Sequence, residues 1–335
     1  MDMEQSRSVE EESTAIVSSA ACPASEPAIQ VERVSKFYDA KAAVDEFSLD
    51  VPRGSILGLI GPNGSGKTTT LKMISTLIKP DDGSIRVCGL DLARQARDVR
   101  PLIGYMPDHF GVFRGLNCVE YLQFFGRIFG LYARRLSERI EAVLALTDLE
   151  RVRGELTTAL STGVRQRLSM AKTLLHDPEI LVLDEPASGL DPRARIEIRS
   201  LLKELGRMGK TIIISSHILS DLEEICTDVA IIEDGKHIWS GPLKAVKAGD
   251  GAQVDAVLRV PEPAAERAVS LLKGLDQVIK VAARGEGRLE ARIAAESSNE
   301  VLSALIKEGI EIVSFNQESV DLERLFLERT RGIVS

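Results

Sequence analysis

Cysteine is scarce and scattered in this 335-residue chain: Cys22, Cys88, Cys118 and Cys226 stand without a CxxC pair or other metal-ligand spacing. That argues against a disulfide framework or a cysteine metal site, and a reducing setting fits thiols that serve as small apolar residues. Long apolar runs are missing as well. None approaches the roughly 20 residues that cross a bilayer, so a role at a membrane would be played beside it. The first residues lack both a basic and an apolar signal region, and Cys22 after Ala20-Ala21 reads as tail sequence rather than a processed lipid anchor. Positive charge is in deficit too. The formal charge is −8, of which Met1 to Pro27 carries −5, with six acidic residues against Arg7 alone, leaving −3 for the rest. Such a balance gives no support to a nucleic-acid partner.

What is present is a chain that can bury a substantial core: 44% of its residues are hydrophobic, and its length suits two domains or one large one with an appendage. Its informative stretch is Ile56 to Thr70, ILGLIGPNGSGKTTT. An apolar run ends at Gly61, small residues follow, and Leu71, Ile74, Leu77 and Ile78 recur at helical spacing, which predicts strand, loop and helix. Gly61, Gly64 and Gly66 let the backbone turn with its N–H groups inward, and the helix start adds a positive dipole end. With Pro62, Asn63, Ser65 and Thr69 the loop would cradle anionic oxygens; Lys67 would reach terminal phosphates and the Thr68 hydroxyl would ligate Mg²⁺. A plain Gly-rich turn explains neither the lysine nor the hydroxyl after it.

Met1 to about Pro27 is rich in Ser, Glu and Ala without periodicity and is expected to be a disordered tail. AIQVERVSKFY and AAVDEFSLDV alternate apolar and polar residues, suggesting two antiparallel strands. Tyr38 closes the first, where an exposed aromatic could stack on a purine or a half-buried strand residue could sit. Eight of the 14 aromatic residues fall between Tyr105 and Tyr132. Tyr121, Phe124, Phe125, Ile128, Phe129 and Tyr132 form a wide helical stripe, expected to be mostly subdomain core, whereas Phe110 and Phe113 precede the helix and suit a partner-facing patch.

Ser137 to Leu149 is expected to be a second amphipathic helix, and Ser161 the N-cap of a third, whose first amides, at Thr162 and Gly163, suit an anion. The run Ile180 to Leu183 then delivers Asp184-Glu185 as a central parallel strand would. Asp184 could hold Mg²⁺ beside Thr68, and Glu185 could polarise the water that attacks a γ-phosphate. Thr211 to Ser216 is another buried strand, ending at His217 where that phosphate would lie; VAIIEDGKHIWSG closes the unit as a hairpin turning at Asp234-Gly235.

Across roughly Ala28 to Val246 the sequence resembles the nucleotide-binding domain of ATP-binding cassette transporters. GPNGSGKTT looks like the Walker A loop, ILVLDEP the Walker B strand with its catalytic glutamate, SGLD with Asp191 the D-loop, and His217 the switch histidine. LSTGV, Leu160 to Val164, stands where the LSGGQ signature stands, and Tyr38 where the adenine-stacking aromatic stands. Two departures matter. Thr162 and Val164 replace a glycine and the glutamine of the signature, while Ser161 and Gly163, which carry its γ-phosphate contacts, are retained. Asp108 replaces the usual Q-loop glutamine; it could reach Mg²⁺ directly or through water but cannot donate as an amide does.

The resemblance implies an α/β fold: a P-loop NTPase (RecA-like) core with an antiparallel β subdomain and a helical subdomain at about 108–175. It also implies two copies, or two related subunits, dimerised head to tail around two ATP molecules. Each ATP would lie between Lys67, Thr68, Asp184, Glu185 and His217 of one and Ser161 and Gly163 of the other. An integral membrane permease on a separate chain would insert a short helix near Phe110 and Phe113, placing this subunit on the cytoplasmic face of the cell membrane. ATP hydrolysis would drive transport.

After a linker at Lys247 to Gln253, residues 254–335 read strand (Val254 to Val260), helix (Pro263 to Lys273), strand (Val278 to Arg284), strand (Arg288 to Ala294), helix (Ser298 to Glu308), strand (Ile310 to Asn316) and helix (Ser319 to Arg329). That is the order of a ferredoxin-like α+β sheet. It also resembles the small C-terminal domain on cassette ATPases paired with exporter-type permeases. Two alternatives are a soluble cassette ATPase and a nucleotide-gated interaction protein with little hydrolysis. A ribosome-acting member would carry two Walker A loops, and a DNA-repair member would place a long coiled coil between Walker A and signature. Here the 94 positions from Lys67 to Ser161 already hold the aromatic subdomain.

Overall fold

The computed structural model describes residues 26–39, 41–109, 111, 113–248, 253–294, 297–318, 322, 323 and 326. The predicted tail therefore lies almost wholly outside the described residues, as do Cys22, Phe110, most of the linker and most of the expected last helix.

The chain opens with β1 (Ile29–Tyr38) and β2 (Lys41–Val51), then β3 (Ile56–Ile60), the phosphate loop and α1 (Lys67–Ile74). The strands β4 (Asp82–Val87) and β5 (Leu90–Asp91) return to β1, giving an antiparallel sheet in the order β2-β1-β4-β5. Next come α2 (Leu92–Val99), β6 (Ile103–Met106) and three helices, α3 (Cys118–Ile128), α4 (Ala133–Leu146) and α5 (Thr162–Leu174). The chain re-enters the interior as β7 (Ile180–Asp184), α6 (Pro192–Arg207), β8 (Thr211–Ser216), α7 (Leu219–Ile225), β9 (Asp228–Glu233), β10 (Lys236–Pro242) and α8 (Leu243–Ala248).

Strands β3, β7 and β8 are buried at every position, and the reason is topological. They lie inside a six-stranded sheet, β10-β9-β3-β8-β7-β6, parallel except for the β9–β10 hairpin, with packed layers on both faces. Continuous apolar runs are what such strands require. Alternation still divides them: Leu181, Leu183, Ile212 and Ile214 join one core with α3 to α6, while Ile180, Val182 and Ile213 join the other with α1 and the antiparallel sheet. The register sets Ser215 level with Leu59 on one side and Asp184 on the other. The carboxyl ends of three strands thus meet in one row.

The helical region departs from the sequence reading in two ways. Helix α4 runs from Ala133 to Leu146 rather than from Ser137 to Leu149; it ends where the Thr147 hydroxyl donates back to the Val143 carbonyl at 2.7 Å and Asp148 takes a positive φ of 53°. Nor is the aromatic stripe mainly core. Tyr121 is buried, but Phe124, Ile128, Phe129 and Tyr132 are exposed. The buried face of α3 is Cys118, Tyr121, Leu122 and Gly126. At Gly126 a β-carbon would lie 2.2 Å from Leu136 Cδ1, so the missing side chain lets α4 close on this face.

Strands β11 (Gln253–Arg259), β12 (Val278–Ala283), β13 (Arg288–Ala294) and β14 (Ser314–Glu318) form an antiparallel sheet in the order β12-β13-β11-β14, with α9 (Ala265–Lys273) and α10 (Ser298–Lys307) between them in sequence. Leu258, Leu289, Ile293, Leu272 and Leu305 close a core separate from the other two. The last strand begins at Ser314, not at Ile310, because Gly309 (φ 70°) ends α10 and Ile310 is spent in that core. Among the described residues no helix is long and apolar enough to cross a membrane.

Candidate functional site

The phosphate loop is held open by close backbone packing. A β-carbon on Gly61 would stand 2.2 Å from the Ile232 carbonyl oxygen, and Gly66 adopts φ 106° with the Ala43 carbonyl 2.5 Å from its own missing β-carbon. Only glycine fits either place. Pro62, Asn63 and Gly64 are exposed at the crest, and Ser65 is anchored through its carbonyl to the Gly235 N–H at 2.9 Å. Helix α1 starts at Lys67 with neither a side-chain cap nor an acidic residue in its first turn, so its leading N–H groups and positive dipole end remain for an anion. Lys67 is buried, with Nζ donating to the Gly61 and Pro62 carbonyls at 2.7 and 3.1 Å. Burial lowers its pKa, and the negative charges of Glu185 and Asp184 oppose that shift.

Across the loop stands Asp184, buried at the end of β7. Its Oδ1 accepts from the Ser215 hydroxyl at 2.7 Å and from the Thr68 hydroxyl at 3.2 Å. A hydroxyl and a carboxylate so placed are hard oxygen ligands, the donor set that Mg²⁺ takes together with substrate phosphates. Among the described residues no cluster of three or more His, Cys, Asp or Glu could hold a metal ion unaided.

Glu185 follows in a left-handed backbone conformation, φ 49°, which costs a non-glycine residue roughly 1–3 kcal/mol. Two contacts from outside the turn restrain it. Its N–H donates to Ser215 Oγ at 2.9 Å, and the next carbonyl, that of Pro186, accepts from Gln166 Nε2 at 2.7 Å. The carboxylate Oε2 lies 2.7 Å from His217 Nδ1 at the end of β8. A carboxylate and an imidazole in contact, beside a buried ammonium and a phosphate loop, can orient and deprotonate a water for phosphoryl transfer.

Five sequence-selected residues, Lys67, Thr68, Asp184, Glu185 and His217, are therefore brought together. Others are not. Ser161 caps α5 by accepting from the Val164 N–H at 3.4 Å, and Thr162 Oγ1 accepts from Arg165 at 3.5 Å. Gly163 approaches Ala194, beside which Asp191 caps α6 by accepting the Ala194 N–H at 2.9 Å. Among the described residues no hydrogen bond joins Ser161, Thr162 or Gly163 to the loop of the same chain. Tyr38 is exposed at the end of β1, opposite Lys41 in β2. Asp108 pairs with its neighbour His109 at 2.8 Å rather than with Thr68 or Asp184, although its charge acts with that of Asp184 on Tyr105; burial is the larger cause, and together they push that phenol up to about 12.

Phe113 joins the exposed aromatic cluster, 5.2 Å from Phe124 and 6.1 Å from Phe125 between ring centroids, with its carbonyl held by the Thr157 hydroxyl at 2.9 Å. Lys172 Nζ lies 5.4 Å over the Phe125 ring. Sequence reasoning missed Ser215, Gln166 and Lys172. Ser215 had a signal, a pair of serines ending an otherwise apolar strand; the other two had none, since a polar residue on a helix gives no sign of what it faces.

Residues 44–188 match the ABC transporter family model. The Nod factor export ATP-binding protein I of Burkholderia pseudomallei is 34% identical over 303 residues, covering 90% of this chain and 96% of that protein. The daunorubicin resistance ATP-binding protein DrrA3 of Streptomyces coeruleorubidus is 37% identical, covering 69% of this chain and 74% of that one. In three dimensions the chain superposes on the dimeric structure of MJ0796, a bacterial ABC transporter cassette, with a TM-score of 0.59 and 25% identity over 64% of this chain and 98% of that one. A glycine-rich loop, a carboxylate pair and a histidine at the ends of adjacent strands, in a chain matched along nine-tenths of its length by such a relative, make this protein a member of the ABC transporter family.

Proposed function

We propose that this chain is the ATP-hydrolysing subunit of an exporter, acting as a pair around two ATP molecules to drive a membrane permease on a separate chain. One observation carries the reading: Lys67, Thr68, Asp184, Glu185 and His217 converge at the carboxyl ends of β3, β7 and β8, with Glu185 in contact with His217. Pairing is supported by what one copy leaves undone. Ser161 and Gly163 lead a capped helix suited to a γ-phosphate, yet among the described residues neither hydrogen-bonds to the loop of its own chain. The names of the relatives support export as the direction.

Thr68 and Asp184 would hold Mg²⁺, which when bound would neutralise phosphate charge. Lys67 would bind the terminal phosphates, Glu185 would orient the attacking water, and His217 would fix the Glu185 carboxylate. Tyr38 would stack on the adenine, Asp191 would brace the paired surface, and Asp108 would reach the cation through water after parting from His109. Phe113 and its exposed neighbours would receive the permease, which sets the subunit on the cytoplasmic membrane face. The order β12-β13-β11-β14 supports reading residues 254–335 as a ferredoxin-like domain appended to the cassette at 28–246.

The test is Mg²⁺-dependent ATP turnover by the full chain beside Glu185→Gln, with oligomeric state followed in ATP. Turnover by the wild type and an ATP-trapped pair without turnover for the variant are expected. A wild type that binds ATP without hydrolysing it, alone or with its permease, would overturn the reading.

A further inference from the structure

Helix α5 begins at Ser161, the end assigned to a second copy's nucleotide, and its second turn carries Gln166. That side chain is only 6% exposed, and its Nε2 donates to the Pro186 carbonyl at 2.7 Å. Pro186 follows Glu185, the acid at the centre of the site, which holds φ 49°. A residue in that conformation relaxes unless its surroundings hold it. Three hydrogen bonds surround the turn: Glu185 N–H to Ser215 Oγ at 2.9 Å, Ser188 N–H to the Glu185 carbonyl at 3.0 Å, and Gln166 to the Pro186 carbonyl. The first comes from the adjacent strand and the second from within the turn itself. Gln166 alone brings in α5.

We propose that Gln166 is a positioning residue that ties the helix facing the partner's nucleotide to the Glu185 turn of its own site. When Ser161 and Gly163 engage a γ-phosphate on the other copy, α5 shifts as a rigid rod, and the Gln166 amide carries that shift to the Pro186 carbonyl. Nucleotide at one site then sets the Glu185 carboxylate at the other. The α5 N-terminus lies one turn from Gln166, so no longer relay is needed. This inference rests on the two-copy reading, and its test separates the two.

Gln166→Met keeps the buried shape without a donor, and Gln166→Asn keeps an amide one methylene short of the carbonyl. Each should lower kcat for ATP by about tenfold, the effect of one buried hydrogen bond on a transition state, while KM stays within about twofold. Should Gln166→Met fail to fold, Gln166→Asn carries the measurement. Amide exchange gives the readout that packing alone would not move. With a non-hydrolysable ATP analogue, wild type should slow exchange both at Thr162 to Val164 and at Ala187 to Asp191. The variants should keep the first protection and lose the second. Equal protection of Ala187 to Asp191 in variant and wild type, or a KM that rises in step with the fall in kcat, overturns the assignment. No analogue-dependent protection at Thr162 to Val164 in the wild type overturns the two-copy reading instead.

Discussion

Nδ1 of His217 lies 2.7 Å from Oε2 of Glu185, although 32 residues separate them in sequence. The contact exists because β7 and β8 are parallel neighbours whose register ends both at the same edge. Glu185→Gln should reduce ATP turnover by about 10²–10⁴-fold, the usual share of a positioned acid or base, with nucleotide binding kept. His217→Ala should cost less, and the double variant should lose little beyond Glu185→Gln, because residues that act as a unit do not add. Additive losses would show that His217 works apart from Glu185.

Lys67 is folded onto its own loop, donating to the Gly61 and Pro62 carbonyls, and burial lowers its pKa. Its charge offsets those of Asp184 and Glu185. Lys67→Ala should therefore abolish turnover and weaken ATP binding at least tenfold, by roughly 1.4 kcal/mol or more. Fluorescent-nucleotide titration checks this; unchanged affinity would remove Lys67 from the phosphate contact.

His176 supplies a pH prediction. Its Nε2 lies 3.1 Å from the Ile103 carbonyl, its ring lies 4.4 Å from the Phe129 ring, and burial lowers its pKa below the ordinary 6.5. The unfolded chain takes up this proton near pH 6.5 while the folded chain resists it, so unfolding binds protons in that window. Stability is complete above 6.5 and falls as the pH drops toward the lowered value. His176→Gln should flatten the acid limb in urea titrations at pH 7 and pH 5.5, leaving the slope due to His237, whose pKa burial also lowers. An unchanged slope would mean that His176 is already protonated in the fold.

Phe113 and Phe124 are each close to half exposed, so replacing either costs little stability. Phe113→Ser with Phe124→Ser should leave turnover of the isolated subunit within about twofold and change its unfolding by less than about 1 kcal/mol. Coupling to a co-expressed permease should fall. Unchanged permease-stimulated turnover would move the docking surface elsewhere.

The loop, the Asp184-Glu185 pair and His217 were legible because each ends a continuous apolar run, and in a parallel sheet the ends of such runs converge. The aromatic stripe was misread for a reason equally physical. Periodicity shows that residues share a helix face, not how much of that face meets protein, and here the core takes the flank holding Cys118, Tyr121, Leu122 and Gly126 while Phe124, Ile128 and Phe129 stay exposed. Gln166 and Ser215 were silent because a hydrogen bond to a backbone carbonyl or amide depends on where a distant segment passes.

Leu322 supplies the last case. It follows the C-terminal sheet in sequence, yet it is 1% exposed within the same core as Leu222 and Ile225, and its N–H donates to Glu223 Oε1 at 2.5 Å. Phe326 packs against that core as well. Leu322 and Phe326 of this segment thus pack beside α7, the helix that leads away from His217. Leu322→Ala removes a fully buried side chain and should lower the stability of the cassette by about 2–5 kcal/mol. Trp239, the single tryptophan, borders the same core and reports on it. If its fluorescence transition in urea moves to lower denaturant with Leu322→Ala, the segment is part of the cassette's cooperative unit. If only the circular dichroism of the C-terminal sheet changes, the segment stabilises that sheet alone and α7 stands without it.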